Sequence, residues 1–404
     1  MPFHSSDHSN RHNTVKNHAV RLNFAELLLD PQKLKEWTNS KPSVEDIVAY
    51  VHAVQSRPDS FSIENYSRNL VERIATLGRK TGSSGKSMQK TLFTVQEVSL
   101  KAFDRFMLSE AQVGIKSAEK ILHASAKLGI CHPLIVPALE RFYKDRKFKI
   151  ENANADLDLL IEVARESNLL RLNCTQIFNT LLSIYKEKIP LSAKSRSLHL
   201  KRLYAQALVS VGNESKVDQE ISREINNLGV VTFNHSTETI RLALLLAYVR
   251  PKQPFPRYLE QELIRNTATA SFTRGTAESL KAQAIEAGIV SGAKHIFPNA
   301  ELSLGKSVFM PFSCGPYNCD FVLESRTKQL EMTIAVEING RQHYCLSPEG
   351  QVLKGADVFK ERVLHRNSIR VLNVTNQQVW ESDQNALPQL FRSALEHVLS
   401  SDHI

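Results

Sequence analysis

Two carboxylates define the chemistry open to this chain. Glu337 sits in Thr333-Ile334-Ala335-Val336-Glu337-Ile338, a short apolar, β-branched run that Asn339-Gly340 stops, so the acid falls within a strand that reads as buried. A carboxylate there is costly unless it is paired, hydrogen-bonded or bound to a metal. Upstream, Tyr317-Asn318-Cys319-Asp320-Phe321-Val322-Leu323 reads as a second short strand with its own acid, and polar residues 324–331 read as the hairpin loop between them. Antiparallel pairing would bring Asp320 and Glu337 near each other. His343 follows the glycine turn directly and adds a titratable group on the same side. The plainer reading of the same residues is structural, with Asp320 capping a strand end and Glu337 ion-paired to Lys360 or Arg341.

The elements that must position these groups follow in order. Residues 355–366 read as a helix, with Val358, Phe359, Arg362 and Val363 at helical spacing. Ile369-Arg370-Val371-Leu372-Asn373-Val374 reads as a third strand, and residues 386–400 as a closing helix. The order β-β-α-β-α is that of a small α/β unit.

Asp320, the Ala335-Val336-Glu337-Ile338-Asn339-Gly340 turn, His343, Lys360, Leu364, Val371 and Trp380 together make residues 301–399 resemble a RAP domain. That module closes organellar and some bacterial RNA-processing proteins, and is itself similar to the PD-(D/E)XK nuclease superfamily, including very-short-patch-repair endonucleases. The resemblance implies a catalytic set of Asp320, Glu337, Asn339, His343 and Lys360. It also implies Mg²⁺ held by Asp320 and Glu337 with a strand carbonyl, where the ion would acidify a bound water. Such nucleases usually carry a lysine two residues after the glutamate. Asn339 stands there instead, where RAP domains usually have aspartate, and leaves His343, Lys354 or Lys360 to substitute. Arg341-Gln342 replaces the usual Pro-Ser before the histidine. The departure at Asn339 favours a fold that grips RNA over one that cuts it. Arg341 and Tyr344 are candidate RNA contacts, Tyr344 by stacking on a base. Trp380 is expected to pack, and Glu301 is a candidate helix-borne acid.

The whole chain frames that site. At 404 residues it is long enough for two or three domains, and its 42% apolar content with 7% aromatics suits helical cores. Its longest apolar stretch, residues 242–249, is too short to span a bilayer. Five cysteines without zinc-type spacing read as reduced thiols in an intracellular protein, cytoplasmic or organellar. The net charge of +9 is uneven: residues 301–404 hold 10 Lys/Arg against 12 Asp/Glu, while residues 1–300 hold 41 against 30. A polyanion should therefore lie mainly on the N-terminal part.

Residues 1–40 are expected to form a disordered segment, 41–295 an α-helical repeat-like region, and 296–404 the RAP-like α/β domain. The N-terminal segment is polar and rich in Ser, Asn and His, without the Arg-rich pattern of an organelle presequence. Between residues 43 and 287 apolar stripes recur at helical spacing, with helices expected at 118–128 and from near residues 155, 174, 197, 217, 238 and 257. First helices recur at roughly 40 residues, as in helix-pair repeats that stack into a solenoid. Ile121-Leu122-His123-Ala124-Ser125-Ala126-Lys127-Leu128-Gly129 is similar to one helix of the octotricopeptide-type repeats of the FAST-kinase-domain family. An irregular helical bundle fits the pattern equally. Residues 78–87, rich in Gly, Ser and Lys, miss the spacing of a phosphate loop and follow a helix, not a strand. Lys80 and Lys86 within them remain candidate RNA phosphate contacts.

The expectation is an intracellular RNA-binding protein of RNA processing or stability, mainly α with a C-terminal α/β domain that clamps or cuts single-stranded RNA. The rivals are a Mg²⁺-dependent PD-(D/E)XK-type endonuclease on RNA or DNA, and an α-solenoid scaffold for protein partners.

Overall fold

In a computed structural model of the chain, residues 24–40, 42–56, 115–133, 164–172, 236–255, 282–311, 317–328, 331–340 and 343–400 are described, with isolated positions between them. They form a mixed structure, helical first and closing on a small sheet.

Helices α1 (Phe24–Leu29), α2 (Pro31–Asn39) and α3 (Val44–Ser56) pack together near the N-terminus. Asp30 starts α2 by accepting from the Gln32 and Lys33 N–H groups at 2.9 and 3.2 Å, and Pro31 holds the first helical position. Trp37 lies 5.1 Å from Tyr50 and 6.1 Å from Phe24, centroid to centroid, and buries an aromatic core. Residues 24–40 are therefore folded, against the expectation of disorder. The polar composition further upstream concealed a local cap and three aromatic anchors. The expected helices at 118–128 and near 238 appear as α4 (Ile115–Leu128) and α5 (Ser236–Val249). Most other expected helix starts, and the repeat period that rests on them, lie outside the described residues. No described helix is long and apolar enough to cross a membrane.

The C-terminal unit begins with α6 (Ala282–Ile296), a helix earlier than the boundary expected at residue 296. Strands β1 (Glu301–Phe309), β2 (Asn318–Arg326) and β3 (Glu331–Asn339) form an antiparallel meander. A small hairpin of β4 (Tyr344–Ser347) and β5 (Gly350–Leu353) follows, then α7 (Gly355–Arg366). The chain then crosses to β6 (Ile369–Thr375), which pairs parallel to β3 and completes the order β1-β2-β3-β6. Glu301 opens strand β1 and is exposed, so it is not the helix-borne acid expected of it. Short α8 (Asn376–Glu381) and long α9 (Leu387–Ser400) close the unit.

Strand alternation divides the core between the two faces of the sheet. Phe321, Leu323, Ile334, Val336 and Leu372 face α6 and α9, whereas Val322, Ala335 and Val371 gather with Leu364 of α7. The α6–α9 contact is close because of Gly292: a Cβ there would stand 2.8 Å from Arg392 N and 2.9 Å from Pro388 O.

The unit is docked on the helices before it. Ile130 bridges Leu346 of β4, with Cys131 N–H donating to Leu346 O and Leu346 N–H to Gly129 O, each at 2.8 Å. Gly355, the first residue of α7, meets the Asn168 carbonyl so closely that any Cβ would overlap it. At the other end of α7, Asn367 Oδ1 accepts from Lys252 N–H at 2.8 Å and its Nδ2 donates to Ala247 O at 3.1 Å. Helix α7 therefore has one side on the helices and the other on the sheet.

Candidate functional site

The β2–β3 ladder ends at Phe321↔Val336, and one further step of that register sets Asp320 opposite Glu337. Both follow the alternation of Val322 and Ala335, so they belong to the face covered by α7. Past the end of the ladder the Asp320 carboxylate stands in as an acceptor, its Oδ2 taking the Ile338 N–H at 2.8 Å. Burial pushes the Asp320 carboxyl above its ordinary value, against the opposing pull of that N–H, Lys360 and His343.

Glu337 meets a cation from the helix above it. Lys360 Nζ donates to Glu337 Oε1 at 2.7 Å and reaches Asn318 O at 3.4 Å, and it lies 5.2 Å from the centre of the Tyr317 ring. The side chains of Lys360 and Glu337 are only 17% and 12% exposed, so solvent screens this pair little. Burial raises the Glu337 carboxyl, with Lys360 opposing and Asp320 adding to the rise. Burial also opposes the Lys360 ammonium, yet Glu337 outweighs it and the lysine is held above 10.5. The Cys319 thiol hydrogen-bonds the same carboxylate, and burial with that negative neighbour pushes it up to about 12.

Asn339, at the position of the expected lysine, is committed to a neutral network. It is 5% exposed, and its Nδ2 donates to Asn373 Oδ1 at 2.7 Å. The Tyr344 hydroxyl also bonds Asn339, and Asn373 Nδ2 reaches Glu361 Oε2 at 3.5 Å. Tyr344 is thus half-buried within the polar network. His343 points its Nδ1 at Asp357 Oδ1, 2.8 Å away, in the first turn of α7. That turn is tied to the histidine because Lys354 N–H donates to His343 O at 2.9 Å.

Asp320, Glu337, Asn339, His343, Tyr344 and Lys360 all line the end of the sheet where β3 meets α7. Arg341, Lys80 and Lys86 lie outside the described residues. Trp380 is 43% exposed on α8 while its neighbour Val379 fills the core, which corrects the expectation that the tryptophan packs. Two partners escaped the sequence reading, Asp357 and Asn373. Each left a signal: an acid in the first helical turn, and a lone amide in the apolar run of β6.

Two opposed carboxylates can hold a hard divalent cation, and this set, with its ammonium already paired to Glu337, would take a phosphodiester only through such a cation. Among the described residues no three His, Cys, Asp or Glu side chains converge as a metal cage. A Mg²⁺ ion here would need oxygens from its substrate, which suits an ion commonly held by one or two carboxylates and phosphate. No protein-family model matches the chain, and no curated protein is significantly similar to it.

Proposed function

We propose that this protein binds single-stranded RNA and acts in RNA processing or stability, with the C-terminal α/β unit gripping the strand. The observation that carries the reading is the convergence of Asp320, Glu337 and Lys360 at the end of β3. It lies in a small mixed α/β unit, and a RAP or PD-(D/E)XK character for that unit is part of the proposal. The charge balance supports the same reading, since the excess of Lys and Arg lies in residues 1–300, the part on which an RNA backbone would lie. Lys360 restores to the pocket the positive charge that Asn339 lacks, but it is spent on Glu337. That arrangement favours holding RNA over cutting it.

A second reading, metal-dependent hydrolysis, draws on the juxtaposition of the two acids. Asp320 and Glu337 would hold the ion, which would polarise a phosphate and acidify a water. One experiment separates the readings. The purified full-length protein is titrated with a labelled single-stranded RNA against DNA competitors, then incubated with the RNA in Mg²⁺ or Mn²⁺. Tight, salt-sensitive RNA binding with slow or no cleavage is the expected result. Efficient cleavage that Asp320→Asn abolishes, with binding intact, would establish the enzyme instead. Failure of the wild type to bind RNA at low salt would sink the RNA readings and leave a DNA endonuclease or a protein-binding scaffold.

A further inference from the structure

His343 is held at three points and still keeps one ring nitrogen open. Its N–H donates to Gly340 O at 3.0 Å, and its carbonyl accepts from the Lys354 N–H at 2.9 Å. Its Nδ1 lies 2.8 Å from Asp357 Oδ1. The first two contacts fix the backbone and the third fixes the ring. An ionised carboxylate only accepts hydrogen bonds, so the contact with Asp357 assigns the proton to Nδ1. Nε2 is on the other side of the ring, on a side chain 38% exposed, and has no protein partner among the described residues.

The surroundings decide what that nitrogen can meet. Asp357 and Lys360 stand three residues apart on α7 and so share a face, with about 5–6 Å between their Cβ atoms. One of them holds His343 and the other holds Glu337, through contacts of 2.8 and 2.7 Å. Asp320 lies opposite Glu337 in strand register and accepts the Ile338 N–H at 2.8 Å. The pocket therefore gathers three carboxylates against one ammonium, and that ammonium is already paired. A phosphate entering without a cation would meet net negative charge. A hydroxyl carries no charge and can both donate and accept, so it bonds an imidazole nitrogen in either protonation state. Asn339 points the same way, because the position that could have supplied charge for a phosphate holds an amide bonded to Asn373.

We infer that His343 Nε2 is a contact for the ribose 2′-hydroxyl of RNA, with Asp357 as the residue that positions it. The inference rests on the RNA-binding reading and deepens it: the pocket reads the sugar, the group by which a protein tells RNA from DNA. The phosphates of the same strand then face away from the carboxylates. Asp357 keeps the Nδ1 edge of the ring inward, and without it the two nitrogens could exchange places. The contact needs no metal ion.

The test is fluorescence anisotropy of the full-length protein in EDTA with one labelled single-stranded sequence, made as RNA and as its 2′-fluoro analogue. Fluorine keeps the RNA-like sugar pucker and removes the hydroxyl donor. The wild type should prefer RNA by about fivefold or more, the worth of one neutral hydrogen bond. His343→Ala should lose that factor while binding the 2′-fluoro strand as the wild type does. Asp357→Asn, which keeps the bulk and removes the charge, should lower the preference and leave 2′-fluoro binding unchanged. Each ratio compares two ligands on one protein, so a loss of folded protein lowers both affinities and leaves the ratio alone. No preference in the wild type, or the same preference in His343→Ala, overturns the hydroxyl contact while RNA binding stands. So does an equal loss for both strands in His343→Ala, which would mark a phosphate contact. A full preference in Asp357→Asn overturns the positioning role. A wild type that binds no RNA removes the RNA-binding reading and this contact together.

Discussion

Lys360 Nζ and Glu337 Oε1 lie 2.7 Å apart in a near-dry setting, and the bond ties α7 to the middle of the sheet. Removing one member of such a pair strands the other. Glu337→Gln should therefore destabilise the fold by about 3 kcal/mol or more, the usual cost of an uncompensated buried charge. Lys360→Met alone should cost a similar amount, because Glu337 then keeps only Cys319 and its like-charged neighbour Asp320. The double variant Glu337→Gln/Lys360→Met should lose clearly less than the two losses added. Urea denaturation of the four proteins measures this, and strict additivity would refute a coupled pair.

Gly355 tests the docking of the α/β unit. A Cβ there would meet the backbone carbonyl of Asn168, which cannot swing aside as a side chain can. Gly355→Ala should cost about 1–3 kcal/mol, the range for overpacking a filled site. The loss should appear as a lower melting temperature together with faster proteolysis near residues 168 and 355. Unchanged melting and digestion would show that the two parts do not dock as described.

What was legible in the sequence was whatever a short window could carry. The apolar run 333–338 gave β3, the run 369–374 gave β6, and their single buried acids and amides marked the pocket. The partner of Glu337 was narrowed to two cations, of which Lys360 is the one in contact. Strand β1 escaped because Glu301-Leu302-Ser303-Leu304-Gly305-Lys306 is half polar, as befits an edge strand whose ladder bonds run to β2 on one side only. The joints to α4 and α5 left no local signal. A backbone bridge such as Ile130 to Leu346, or a rivet such as Asn367, depends on tertiary placement and not on side-chain pattern.

Glu361 yields a pH prediction with a defined sign. Burial raises its carboxyl above 4.5, opposed by Arg362 and Arg171, so the folded protein holds that proton more tightly than the unfolded chain does. Protons are then lost on unfolding, and this group's contribution to stability falls as pH rises from 4.5 through the folded value. Glu361→Gln removes the penalty. The variant should gain stability over the wild type near neutral pH and converge with it below pH 4.5, measured by urea melts across that range. A gain independent of pH would mean that packing, not charge, is responsible.

The amide at Asn339 gives the sharpest test of the neutral network. Burial raises the Tyr344 phenol above 10.0, and the hydrogen bond from Asn339 is what opposes the rise. Asn339→Ala should thus push the Tyr344 ionisation still higher, followed by phenolate absorbance with Tyr344→Phe as the subtraction control. It should also cost about 1–3 kcal/mol, because Asn373 Oδ1 loses its donor in a buried setting. Asn373→Ala should leave the tyrosine titration nearly unchanged, since it touches the network on the far side of Asn339. If Asn339→Ala lowers the tyrosine ionisation, or Asn373→Ala shifts it equally, the order of contacts Tyr344–Asn339–Asn373 is wrong. The position that a cutting enzyme would give to lysine would then have to be assigned a different role.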